Sequence, residues 1–307
     1  MKICIIGYGR FGPHHARVFR QLGCEVSVYD QSPEQVRSAA EAGFEVFDVM
    51  PRNLNAIVVA TPASAHKYCV EWGLTHGMHV LCEKPLAKSY QEAYDFENLA
   101  EDNHLVLMTG YTYLSHPVYD VFQGALKDRM IGEPWFFRAE RENLGILRMD
   151  ADVVEDLMVH DIAFANALFG EPADICGSGH YHLGALPEAA EAAMAYPMDI
   201  TASFFASWLG PTKRHRILLV GSLGSLEWNE SDPHVVLHES HLSGHGRVVN
   251  GGHRLIGLSA DEPLLRQARR FLGAIQREPW AFEGNFSSSV VQVTDRIRES
   301  IDESVRS

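Results

Sequence analysis

The sequence predicts an α/β protein: an N-terminal doubly wound parallel sheet, then an α+β domain with a mostly antiparallel or mixed sheet. Three observations carry this. The chain opens with a short apolar strand that runs into Gly7-x-Gly9-x-x-Gly12. From there to Met108, short apolar runs alternate with helical segments, as in a parallel sheet covered on both faces. Beyond Tyr111, strand-like stretches follow one another with few helices between them.

The first strand is Lys2–Ile6. Gly7 permits a tight turn, Gly9 lets a diphosphate approach the backbone, and Gly12 lets the next helix pack close to the strand. That helix, Pro13–Leu22, points free N–H groups at an anion. Arg10 and Phe11 lie inside the same loop and complete this part of a cofactor-binding set. The second strand, Glu25–Tyr29, ends on Asp30, 18 residues beyond Gly12. A carboxylate at about 20 residues from the glycines holds the ribose hydroxyls of a dinucleotide. It also repels a 2′-phosphate, and no Arg follows in Gln31-Ser32-Pro33, so NAD is expected over NADP.

A helix over Pro33–Ala42 and a strand over Phe44–Asp48 come next. Asn55–Ala60 is a continuous apolar run, broken by Thr61-Pro62, and Ser64 can cap a helix reaching His76. Met78–Cys82 is a strand ending on Glu83-Lys84-Pro85, followed by a helix over Tyr90–Glu101 and a sixth strand over Leu105–Met108. Asp30, Thr61, Pro62, His66, Glu83 and Lys84 all fall after strands, at the edge where such sheets bind ligands.

The second half predicts a helix over 117–129, a strand over Trp135–Glu142 and a helix over Val153–Phe169 stopped by Gly170 and Pro172. Strands are expected over 174–183, 199–208, 214–220, 224–228 and 234–239. The Ala/Pro/Glu-rich stretch 185–197 reads as a loop, and the Gly- and His-rich 241–258 has no assignment. Apolar residues at helical spacing mark helices over 262–277 and 287–306. The expected domains are 1–115 and 116–307, with the last helix able to pack back on the first.

The 307 residues carry a net charge of −14, which argues against nucleic-acid and anionic-membrane partners. No apolar run approaches the roughly 20 residues of a membrane span. The first strand begins at once, so no signal peptide is expected. Five cysteines without a C-x-x-C pair read as free buried thiols in a reducing, cytoplasmic protein. There is no H-E-x-x-H, G-x-S-x-G or P-loop, and His180-x-His182 has no third ligand spaced to help, so no metal is expected.

Two places carry chemistry. Lys84 follows a parallel strand at the cofactor edge, where it can hydrogen-bond a reacting oxygen; a surface lysine before a helix is equally compatible with the spacing. Asp156 and His160 are four apart and share a helix face, whereas Asp161 points elsewhere. His160 can take a proton near neutral pH, and Asp156 can hold its ring; an ordinary surface pair fits the spacing as well.

Together the glycine fingerprint, Ala60-Thr61-Pro62 followed by His66, Glu83-Lys84-Pro85 and Asp156-x-x-x-His160 resemble the Gfo/Idh/MocA oxidoreductases over the whole chain. His15–Val18, Asp152–Asp161, Trp208–Lys213 with Val220-Gly221, and Glu262-Pro263-Leu264 are similar to the members that oxidise the 3-hydroxyl of UDP-N-acetylglucosamine-type nucleotide sugars. Gly110–Pro117 departs from the pattern, replacing a segment that usually carries Arg or Asn near the active site.

The resemblance implies a Rossmann domain, a second domain with a large open sheet that packs subunits into a homodimer or homotetramer, and a site between the domains. It implies NAD as cofactor, a sugar or nucleotide-sugar substrate, and Lys84, Asp156 and His160 as catalytic residues. Either Lys84 or His160 can be the base. Charge and placement in the second domain nominate Arg141, Arg148, Lys213 and Arg214 for a substrate diphosphate. A free polyol, inositol or aldose is the alternative substrate. A nucleotide-binding sensor without turnover is the alternative class, and the intact Lys84/Asp156/His160 set argues against it.

Overall fold

β1 (Lys2–Ile6) is buried beyond its first residue because parallel neighbours flank it on both sides. In the computed structural model, which describes residues 1–145, 151–277 and 284–306, it is an inner strand of a six-stranded parallel sheet. The elements that follow are α1 (Gly12–Gln21), β2 (Glu25–Tyr29), α2 (Pro33–Glu41), β3 (Glu45–Val46), β4 (Ala56–Val59), α3 (His66–Thr75), β5 (His79–Cys82), α4 (Tyr90–Asp102) and β6 (Leu107–Thr109). Their order across the sheet is β3-β2-β1-β4-β5-β6, the doubly wound arrangement expected from the sequence. Strand alternation sends Ile3, Ile5, Val28 and Val58 into one buried cluster and Cys4, Ile6, Ile57 and Val59 into another, one on each face.

The chain divides into two units, Met1–Ser115 with Asp261–Gln292, and His116–Ala260 with Val293–Ser307. The second unit begins with α5 (Pro117–Lys127), β7 (Pro134–Glu142), a π-turn over Val154–Met158 and α6 (Val159–Phe169). Then come β8 (Asp174–His180), β9 (Ala189–Tyr196), β10 (Ile200–Ser207), β11 (Arg214–Gly221), β12 (Gly224–Asn229), β13 (His234–His238), β14 (His241–Leu242), β15 (Val248–Val249) and β16 (His253–Gly257). Eight of these strands form one sheet, ordered β16-β13-β12-β11-β7-β10-β9-β8. Only β7 and β10 pair in parallel, so the sheet is mixed and mostly antiparallel. Its inward residue Phe137 meets Phe204 of β10 and Phe164 of α6, and Phe164 meets Tyr119 and Phe122 of α5.

Two helices close the chain. α7 (Pro263–Ile275) packs on the first unit's sheet, with Phe271 edge-on to Phe19 of α1. The start of α8 (Phe286–Arg306) is capped by Glu97, whose Oε1 accepts from the N–H groups of Ser287 and Ser288. Burial raises the pKa of that carboxyl against these bonds. No helix among the described residues is long and apolar enough to cross a membrane.

Two sequence expectations need correction. The stretch 185–197 is not all loop: its larger part is β9, an inner strand between β8 and β10. Its alanines have weak strand propensity, but Ala190, Ala192, Met194 and Tyr196 point inward and pairing on both sides overrides that weakness. The cysteines are not all buried: Cys4, Cys69 and Cys82 are, Cys24 is half-buried and Cys176 on β8 is exposed. The unassigned 241–258 holds the β14–β15 hairpin and edge strand β16.

Candidate active site

The first unit gathers its predicted residues at the carboxyl ends of β1, β2, β4 and β5. Gly7 has φ of +93°, which side-chain-bearing residues rarely adopt. A β-carbon on Gly12 would stand 2.1 Å from the carbonyl oxygen of Gly7, so α1 can start this close to the loop only with glycine there. Gly9 is different: a β-carbon there would meet no atom within 4 Å and would project into open space over the loop. Asp30 is fixed by two backbone donors, Tyr8 N on Oδ2 at 2.6 Å and Ser32 N on Oδ1 at 2.8 Å. Each oxygen keeps a second acceptor direction for a ribose hydroxyl. An open glycine loop with an immobilised carboxylate beside it fits the diphosphate and ribose of NAD. Arg10 and Phe11 are exposed at the loop, with the guanidinium 5.6 Å from the ring centroid.

Lys84 is half-buried in the turn after β5, before a cis Pro85. Glu83 beside it places Oε1 2.7 Å from Nε2 of His15, a buried residue of α1. His66 is buried as well, with Nδ1 2.7 Å from the Pro85 carbonyl and Nε2 3.0 Å from the Thr61 carbonyl. Burial lowers the pKa of His66 against these carbonyl contacts, so the ring is neutral and carries one N–H for two acceptors. The shorter contact assigns it to Pro85. Both of its ring nitrogens therefore face protein backbone. Pro62 is exposed and opens the short turn that leads into α3.

In the second unit the sequence places Asp156 and His160 one turn apart, and the structure adds what holds Asp156. Asp156 sits in the π-turn, a rare element that favours functional sites. The indole N–H of Trp208, at the end of β10, donates to Asp156 Oδ2 at 3.2 Å. Asp152 caps the turn, accepting from Val154 N and Glu155 N on Oδ1 and from Arg298 on Oδ2. His160 and Asp161 open α6. Asp161 is fully buried: Arg141 donates to it from Nε at 3.0 Å and from Nη2 at 2.8 Å, and His215 Nε2 lies 2.8 Å from its Oδ1. Burial alone would raise the Asp161 pKa, but Arg141 first and then His215 hold it well below the usual carboxylate range. Burial and the Arg141 charge lower the pKa of His215, which stays neutral. Its Nε2 stands between Asp161 Oδ1, which only accepts, and Arg141 Nη2 at 2.9 Å, which only donates; the shorter contact assigns the proton to Nε2, toward Asp161.

These contacts revise the diphosphate candidates. Arg141 is not available to a substrate: its guanidinium is buried in a two-point bond to Asp161. Arg214 is corrected by strand alternation. His215 faces α6, so Arg214 points to the opposite face, where it pairs with Glu140 at 3.2 Å and Glu142 at 3.6 Å. Lys213 is exposed and pairs with Glu230 at 3.0 Å. Arg148 lies outside the described residues.

Sequence reasoning gave His15, Asp152 and Trp208 no individual role and did not foresee the Arg141–Asp161–His215 cluster. A signal existed for two of them. Asp152 stands at a helix start like an N-cap, and His15 shares the Gly12–Ala16–Phe19 face of α1.

Comparison with known proteins fits this architecture. The model of the GFO/IDH/MocA oxidoreductase family, NAD-binding Rossmann fold, matches residues 1–111, and that of the GFO/IDH/MocA C-terminal domain matches 122–227. The chain is 28% identical over 243 residues to UDP-N-acetylglucosamine 3-dehydrogenase of Acidithiobacillus ferrooxidans, covering 76% of each chain. It is 26% identical over 184 residues to inositol 2-dehydrogenase 2 of Mycolicibacterium vanbaalenii, covering 56% of this chain and 54% of that one. A solved structure of the Acidithiobacillus enzyme superposes with a TM-score of 0.88 at 24% identity, covering 99% of this chain and 98% of the other.

Proposed function

This chain belongs to the Gfo/Idh/MocA family of NAD-binding oxidoreductases, and on that footing we propose that it oxidises a secondary alcohol of a nucleotide sugar to a ketone, at the 3-hydroxyl of UDP-N-acetylglucosamine or a close relative. The observation that carries the reading is the braced Asp156–His160 turn. A carboxylate held by an indole N–H one turn from a histidine is a device for fixing a proton acceptor, and a pure binding module has no need of it. The similarity to a UDP-N-acetylglucosamine 3-dehydrogenase across three-quarters of the chain supports the substrate class.

NAD supplies the hydride acceptor when bound. The residues that hold it are the glycine loop with Arg10 and Phe11, Asp30 at the ribose, and the Thr61-Pro62 and Glu83-Lys84 turns. His160 takes the proton of the substrate hydroxyl, and Asp156 orients the ring and favours its protonated form. Lys84 donates a hydrogen bond to the same oxygen and stabilises its developing negative charge, a preorganised field of the kind that dominates many enzymes. Lys213 is the described residue we assign to the substrate diphosphate.

The test mixes protein, NAD and UDP-N-acetylglucosamine with a carbonyl trap and follows reduced nicotinamide by absorbance. Signal that needs the sugar nucleotide and is lost in Lys84→Met and His160→Asn supports the reading. No signal in a protein that binds NAD would overturn the nucleotide-sugar assignment. The inositol dehydrogenase relative favours a polyol as second reading, and inhibition by UDP alone separates the two.

We also propose self-association through the outward face of the eight-stranded sheet. Phe136, Phe205, Leu218, Val220 and Val236 share that face and are only half-buried. Light scattering should give a multiple of 34.2 kDa, and a monomer mass would remove the proposal.

A further inference from the structure

The two chain neighbours of Lys84 are each tied to a different loop by a buried imidazole. Glu83 is bound by His15, three residues past Gly12 at the start of α1. Pro85 is bound by His66, which opens α3 and also contacts the Thr61 carbonyl at the end of β4. The backbone adds two ties: Glu83 N donates to Val59 O at 2.9 Å, and Gly110 N donates to Cys82 O at 2.7 Å. Gly110 also walls the Glu83 carboxylate, since a β-carbon there would stand 3.1 Å from Oε2.

We propose that His15 and His66 are positioning residues that clamp the Lys84 turn from both sides and so set where its ammonium group stands. This rests on the reading of Lys84 as the donor to the reacting oxygen. The turn leaves β5 on one side and runs into a loop on the other. Two imidazoles fix it to the glycine loop's helix and to the Thr61 turn, two of the other cofactor-facing segments. The clamp therefore links the placement of Lys84 to that of the cofactor cradle. Both rings are 1% exposed, so neither is placed to touch a ligand itself.

The experiment compares wild type, His15→Phe, His15→Gln, His66→Phe, His66→Gln and Lys84→Met. Amide exchange over residues 82–88 in NAD-free protein is the first readout. NAD affinity, KM and kcat are the others. A displacement of about 1 Å at a reacting group lowers rate by on the order of a hundredfold. The Phe variants should speed exchange of the 82–88 segment and lower kcat by about ten- to a hundredfold, with KM and NAD affinity within about threefold. The Gln variants, which keep an N–H donor, should recover part of kcat. Should either Phe variant fail to fold, its Gln partner carries the comparison, with intermediate kcat expected.

Unchanged kcat in folded His15 and His66 variants, with Lys84→Met inactive, would overturn the clamp and leave the Lys84 reading standing. Full activity of Lys84→Met would instead overturn the Lys84 reading, and the exchange data would still decide whether the histidines hold the turn.

Discussion

Arg141→Met is the perturbation whose size the structure fixes best. It keeps most of the aliphatic volume and removes both guanidinium bonds to Asp161, at 3.0 and 2.8 Å. Hydrogen bonds to charged groups are worth about 1.5–3 kcal/mol each, so the two together predict about 3–6. Breaking one side of a buried ion pair costs about 3–5 kcal/mol, because the other charge stays behind unpaired. Since His215 keeps one donor on Asp161, we expect about 3–5 kcal/mol at pH 8. Urea unfolding read by tryptophan fluorescence is the assay. Three of the five tryptophans, Trp135, Trp208 and Trp228, lie in the second unit, so the perturbed part contributes to the signal.

The pH dependence has a definite sign. In the wild type the folded pKa of Asp161 is depressed, so its stabilisation is full above the unfolded value of about 3.9 and is lost only as pH falls below that, through the depressed folded value. Without Arg141, burial raises the folded pKa instead. The penalty is then full at high pH and fades as pH falls and the carboxyl takes a proton. His215, relieved of the Arg141 charge, also becomes easier to protonate and can replace part of it. Both effects shrink the gap between wild type and variant at pH 5.5 relative to pH 8. Asp161→Asn added to Arg141→Met should recover part of the loss, because no charge is left buried. A gap below about 1 kcal/mol at pH 8, or one that widens in acid, would refute the reasoning.

Asp30→Ala should weaken NAD binding by about ten- to a hundredfold, the loss of a charge-assisted bond, as read by titration with reduced nicotinamide fluorescence; it should also narrow the preference against NADP. Gly9→Ala should leave the melting temperature near wild type, since its β-carbon meets nothing, and weaken NAD binding. Gly12→Ala should lower the melting temperature sharply, because its β-carbon falls on the Gly7 carbonyl. Trp208→Phe keeps the aromatic body and removes the donor to Asp156, so kcat/KM for the substrate should fall by about five- to a hundredfold, with NAD affinity unchanged.

What could be read from the sequence follows the range of the interactions involved. The strand–glycine loop–helix–strand unit was legible to Asp30 because each step depends on near neighbours. The spacing of Asp156 and His160 was legible as near neighbours in sequence, whereas the π-turn that carries Asp156 and its Trp208 donor were not. β9 was not, because AAEAAMAY carries little strand propensity and becomes a strand only between β8 and β10. Arg141 is 20 residues from Asp161 and 74 from His215, and only the antiparallel register of β7 and β11 sets Arg141 opposite His215. Four basic residues therefore looked equally suited to a diphosphate until that register turned Arg141 and Arg214 to opposite faces.

The same arrangement recurs in both units. Lys84 lies between two anchored residues, Glu83 and Pro85, and His160 precedes an anchored one, Asp161. Adjacent side chains leave a strand end or a helix in different directions. An anchor at the next position can thus reach into the protein in a different direction from Lys84 or His160. A buried Asp161 held by Arg141 is a poor way to gain net stability, since an apolar replacement can do as well. It does fix the first turn of α6 in one orientation, because the two-point bond has a single geometry. We read the buried ionic cluster and the paired histidines as one device: polar contacts placed one residue away from the side chains we propose as catalytic, where directional bonds set position.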